Sequence, residues 1–148
     1  MDEKAISVVG ASAPDARRSL CAAGGLNDRE NRMKIIHYAS AAPVHVDNDQ
    51  AKGIDARVVI GKNDGADHFC MRIFEIAPGG YSPKHAHDWE HELFIHSGEG
   101  EACDAGAWRP IRPGTVLFIA PGEEHQIRNT GAQKLIFACL IPSGVPEL

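Results

Sequence analysis

His85-Ala86-His87-Asp88-Trp89-Glu90-His91-Glu92 spells a strand end, a turn and a returning strand. Residues two apart on a strand face the same way, so His85 and His87 project side by side. A turn through Asp88-Trp89 then brings His91 back on that same face, at the start of the next strand. Three imidazoles converging on one point form a set of metal ligands. Downstream, Pro121-Gly122-Glu123-Glu124-His125 places a fourth histidine just after a turn.

Outward from this stretch the chain reads as strand after strand. Residues 34–38, 57–60, 68–76, 92–97, 115–120 and 134–141 are short apolar or alternating runs. Gly, Pro and Asn/Asp clusters such as Pro78-Gly79-Gly80, Asp104-Ala105-Gly106 and Pro113-Gly114 separate them. Many short strands with almost no helical periodicity predict an all-β sandwich or barrel. In 115–120 and 134–141 both faces are apolar. One face belongs to the barrel core, and the other calls for cover by a second copy, so a homodimer is expected.

Residues 1–32 differ in character. Ser12-Ala13-Pro14-Asp15 reads as a helix start, 16–23 as a short helix, and Gly24-Gly25 as its stop. This segment is expected to be an N-terminal extension, helical or disordered, with the β-barrel domain over 33–148.

The 148 residues carry a formal charge of −5, which argues against a nucleic-acid footprint. No apolar run reaches the roughly 20 residues of a membrane span. The start Met-Asp-Glu-Lys lacks the basic beginning of a signal peptide, so a cytoplasmic protein is expected. Cys21, Cys70, Cys103 and Cys139 show no Cys-x-x-Cys spacing and are expected to be reduced thiols.

The histidine blocks run Gly79-x5-His85-x-His87-x3-His91-x6-Gly98 and Gly114-x5-Ala120-x-Gly122-x2-His125-x3-Asn129. Over about residues 55–142 the chain resembles the cupin superfamily, whose two motifs have these spacings. His91 stands where that family commonly has Glu, and Ala120 where it has Pro. The chain thus resembles the small single-domain, four-histidine cupins of cupin-2 type. The resemblance implies a jelly-roll barrel and one divalent transition metal per chain. It favours manganese or iron(II), with nickel, zinc and copper as further occupants.

His85, His87, His91 and His125 are therefore the expected metal ligands. Glu92 or Glu90 takes the third place instead if a bulge after Trp89 shifts the register. An all-histidine site is expected to release metal near the free imidazole pKa of about 6.5. Counted by parity, His96 points away from the ligand face, and His37, His45 and His68 have no partner at ligand spacing. Asn129 is assigned to turn chemistry with Thr130-Gly131.

Strand parity places Phe137 and Cys139 on one face, as pocket or core residues. Arg72 is a lone charge among apolar residues, either outside or in the pocket holding an anion. Tyr81 and Trp89 flank the ligands as lids or as packing. The implied function is metal-dependent, dioxygenase-type chemistry on a small molecule. A non-catalytic metal and ligand-binding barrel is the alternative, and a decarboxylase or isomerase of a small acid or sugar a further one.

Overall fold

The longest strand sets the plan. In the computed structural model, which describes residues 33–148, β3 covers Phe69–Tyr81 and serves two halves of the molecule. Its first part lies between β2 (Lys52–Ile60) and β9 (Leu135–Pro142), while Tyr81 at its end pairs with β8 (His125–Asn129). The change of partner follows Pro78-Gly79-Gly80. Gly79 adopts φ +71°, and a Cβ on Gly80 would sit 2.5 Å from the Lys52 carbonyl oxygen. Only glycine fits such an approach.

Four further strands are β1 (Val44–Val46), β4 (His91–Ser97), β5 (Gly100–Asp104) and β6 (Ala107–Ile111), and β7 (Val116–Ile119) completes the set. All pairings are antiparallel, in the order β6-β5-β8-β3-β9-β4-β7, with β1 and β2 continuing from the other side of β3. The sheet curls on itself as a jelly-roll barrel, the expected all-β architecture. Its inner faces share one core that includes Ile54, Ile76, Ile95, Leu135 and Ile141. Full burial of each such side chain contributes about 1.5–3 kcal/mol.

Strand β9 shows the alternation most cleanly: Leu135, Phe137, Cys139 and Ile141 are buried, and the residues between them are half-buried. Register lines Arg72 of β3, Cys139 of β9 and Leu93 of β4 in one row, with Phe74, Phe137 and Ile95 in the next.

Four of the nine strands were not anticipated. Strands β5 and β6 form a hairpin across Ala105 and Gly106, both at positive φ, the pairing that a two-residue primed turn requires. Pro110 is tolerated because β6 ends the order and has a free edge. In β1 the alternation Val44-His45-Val46 was the available signal, and β8 begins at His125. The strand expected over 34–38 is absent. That stretch is irregular and leads into a short 3-10 turn, Tyr38–Ser40, capped by His37, whose Nδ1 accepts from the Ala39 N–H at 3.2 Å. Ile35 and Ile36 are exposed, and among the described residues the stretch joins no strand. The segment 1–32, its helix over 16–23 and Cys21 lie outside the described residues. Cys70, Cys103 and Cys139 are free thiols.

Candidate metal centre

Each histidine of the cluster is held by backbone before its ring does anything. His85 and His125 clip together through two backbone bonds, His85 N–H to His125 O at 3.2 Å and His125 N–H to His85 O at 2.9 Å. The His87 carbonyl accepts from Gly122 N–H at 2.7 Å, which ties the two histidine blocks again. His91 opens β4 opposite Ile119.

The rings then converge. One ring nitrogen from each of His85, His87, His91 and His125 lies within 4.8 Å of all the others. His85 Nδ1–H donates to Pro83 O at 3.0 Å, and His125 Nδ1–H to Glu123 O at 2.9 Å. A proton fixed on Nδ1 leaves the Nε2 lone pair free to face an ion. His87 Nε2 and His91 Nε2 approach to 2.6 Å, so two potential donor atoms already crowd one point. The His87 ring stacks on Trp89, with centroids 4.0 Å apart and planes 3° from parallel. This donor set fits a transition ion that accepts imidazole.

Burial favours the neutral form of His87, His91 and His125. It lowers the pKa of His87 and His125, and together with the nearby Arg72 charge it brings His91 down to about 3. Burial and the Arg72 charge therefore make the His91 ring hard to protonate in the absence of an ion.

Among the described residues, no carboxylate joins the cluster. Glu92 pairs opposite Phe118 on the outer face and is exposed. The register from His91 through Phe94 is unbroken against β7, and the irregularity in β4 comes later, between Ile95 and Ser97. His96 is exposed on the outer face. His45 pairs with Asp55 at 2.9 Å and His37 caps the 3-10 turn. Asn129 is 3% exposed and does more than shape a turn. Its Nδ2 donates to Ile76 O and Gln133 O, and its Oδ1 accepts from Gly131 N–H.

Beside the cluster lies a cavity of about 270 Å³. His85, His91 and His125 line it, as do Val44, Val46, Ile54, Phe74 and Ile127. Arg72, Phe137 and Cys139 also line it. Arg72 Nη2 donates to Cys139 Sγ at 3.0 Å and stands 3.2 Å from His91 Nδ1. Burial pushes the Cys139 thiol up, against the lowering effect of Arg72. Tyr81 lines a separate groove with Trp108 and Arg128. The wall contributed by β1 and the Trp89 stack were not identified from sequence. The Val-x-Val alternation marked the first, and an aromatic two residues after a ligand was a weak mark for the second.

The sequence profile described as "Cupin domain" matches residues 72–141. The oxalate-binding protein of Thermotoga maritima is 29% identical over 117 residues, 76% of this chain and 97% of its own. Among solved structures, the polyketide cyclase RemF from Streptomyces resistomycificus aligns with TM-score 0.72 and 32% identity, covering 78% of this chain and 82% of that one. A predicted oxalate decarboxylase from Thermotoga maritima aligns with TM-score 0.67 and 28% identity, covering 74% and 99%. Motif spacing, barrel and relatives agree that the chain belongs to the cupin superfamily, as a cupin-2-type domain.

Proposed function

We propose that this cupin holds one divalent transition ion on His85, His87, His91 and His125 and uses it to oxidise a small molecule seated in the adjoining cavity. The observation that carries the reading is the juxtaposition of four convergent imidazoles with an apolar-walled cavity that no Asp or Glu lines. Without an Asp or Glu side chain there, the protein offers no placed acid–base pair of the kind that proton-shuttling isomerisation needs. The bound ion would supply Lewis acidity and, as iron(II), redox chemistry. Neutral imidazoles leave its full double charge in place and suit iron better than manganese, which prefers oxygen donors.

The residues of the chain have separate tasks in this reading. Pro83 O and Glu123 O fix two ligand tautomers, and Trp89 holds the His87 ring in plane. Phe74, Phe137 and the β1 valines exclude water and orient the substrate. Of the three relatives, two are named for oxalate and one for polyketide cyclisation. A largely apolar wall suits an extended carbon skeleton better than a two-carbon diacid. A non-catalytic ligand-binding barrel shares every contact described and differs only in turnover.

The test is elemental analysis of protein purified without chelator or added metal, followed by oxygen uptake with candidate substrates in the presence of that metal. One bound iron per chain with catalytic oxygen consumption supports the oxidase reading. A loaded protein that saturates at one ligand equivalent and consumes no oxygen makes it a binder.

A further inference from the structure

Arg72 is 8% exposed, lies on the inner face of β3 and lines the cavity. Its guanidinium is permanently charged. A buried charge ordinarily sits against an opposite one, because desolvation alone is expensive. Arg72 has no such partner among the described residues. Nη1 reaches the Glu147 carbonyl oxygen at 3.4 Å, and Nη2 reaches Cys139 Sγ and His91 Nδ1, all formally neutral. Its Cζ stands 5.1 Å from the centre of the Phe74 ring, and its Nε is buried with no hydrogen-bond partner. None of the residues lining the cavity is Asp or Glu. Leu148 also lines the wall and carries a terminal carboxylate, yet among the described residues no ion pair joins that or any other carboxylate to Arg72, so the guanidinium stands on an otherwise apolar wall without a paired opposite charge.

We propose that Arg72 receives the carboxylate of the ligand, and that the ligand is a small organic acid with an apolar, aromatic or branched body. This rests on the cavity being the ligand site of the function proposed above, but not on the chemistry carried out there. The carboxylate supplies the missing opposite charge and takes up guanidinium donors that now face weak or neutral acceptors. The apolar body fills the wall of Val44, Val46, Ile54, Phe74, Ile127 and Phe137. A bound ion strengthens the arrangement. An imidazole that ligates through Nε2 carries its proton on Nδ1, so Arg72 Nη2 then faces a donor at His91, and a ligand oxygen becomes its better partner.

The experiment is calorimetric titration of the full chain with benzoate and with its neutral isostere benzamide. It is run on protein as purified and on chelator-stripped protein, for the wild type, Arg72→Lys and Arg72→Met. Metal content and circular dichroism are recorded for each sample. Wild type should bind benzoate at least tenfold more tightly than benzamide, in stripped protein as well as loaded. Arg72→Met should lose the preference while keeping benzamide affinity within threefold, and Arg72→Lys should keep part of it. Equal affinity for acid and amide in the wild type overturns the proposal, as does the absence of binding by both. That comparison needs no variant to fold. A preference that survives in Arg72→Met, or that vanishes on stripping, also overturns it, because the ion and not Arg72 would then hold the carboxylate. Absence of metal or of oxygen consumption would sink the oxidase reading while leaving the acid preference of the stripped protein intact.

Discussion

Arg57 and Arg72 sit on paired strands, β2 and β3, and are buried to the same degree, 9% and 8% exposed. Their surroundings are opposite. Arg57 faces outward, where Glu75 lies 3.5 Å away and is shared with Lys134 at 2.8 Å, while Nε of Arg57 donates to Ala41 O. Arg72 faces inward and finds a thiol, an imidazole and a carbonyl. One side of the sheet compensates its buried charge within the chain, and the other leaves compensation to whatever enters. The first arrangement serves the fold, and the second serves a site at the expense of the fold.

The largest expected effect concerns the inner face. His91→Ala should lower metal affinity by more than about 100-fold, beyond the roughly 10–100-fold that loss of a supporting contact to a ligand gives, and metal retained per chain after dialysis should fall steeply. Glu92→Gln, one residue on and facing out, should leave retention within about twofold. The reverse outcome would shift the register by one residue and bring an acid into the cluster. That would erase the contrast between the two faces.

Stability separates the two arginines next. Glu75→Gln leaves the buried Arg57 without its opposite charge and should destabilise the protein by about 3 kcal/mol in urea unfolding. Arg72→Met removes a buried charge that has no opposite partner, and should leave stability unchanged or raise it, by up to about 4 kcal/mol. Comparable losses from both substitutions would mean that Arg72 is compensated in the fold after all.

Acid should reach the two faces in sequence. The imidazoles of His87, His91 and His125 are lowered from 6.5, with burial the first cause. As pH falls below that value the unfolded chain takes up protons that the native chain refuses, so stability declines. At Glu75, burial alone would raise the pKa, but Lys134 and Arg57 outweigh it and hold the carboxyl below 4.5. Its contribution is complete above that value and is lost as pH drops through the lowered one. Urea midpoints of chelator-stripped protein should therefore begin to fall near pH 6.5 and fall more steeply below about 4.5. Glu75→Gln should flatten only the second decline.

The smallest effect on stability belongs to the outer face of β4 and β7. Phe94 pairs opposite Val116, and Phe118 is next in that row, all three exposed. We propose that a second copy covers them. Light scattering should give a dimer mass, and Phe118→Asp should give a monomer with its urea midpoint nearly unchanged. A monomeric wild type removes the reason for keeping those side chains apolar.

Much of this was legible in local pattern. Period two sorted 134–141 into two faces, both apolar, with Phe137 and Cys139 together on one of them, and the histidine spacings marked the cluster, because both depend on residues close together in the chain. The cavity did not show. Its wall joins β1, β2, β3, β8 and β9, and nothing near Arg72 in sequence says that Cys139 and His91 are its neighbours. The same limit hid the pairing of Arg57 with Glu75. Residues 34–38 failed for the opposite reason: their pattern suits a strand, but among the described residues they form no strand ladder.

The backbone clip between His85 and His125 joins parts of the chain about 40 residues apart, a loop whose closure carries an entropic cost of (3/2)RT ln n plus a constant. His85, His87 and His91 need no such closure, since a single short stretch carries them. A binding ion would therefore find three imidazoles close together in the denatured chain too, and the fourth only when the barrel shuts. Metal then stabilises the fold by the difference between three-point and four-point chelation, which is less than the whole of its affinity. An ion captured early would also pin the turn at Asp88-Trp89 before any distant strand has arrived, and so would lower the barrier to folding by ordering the local half of the site first.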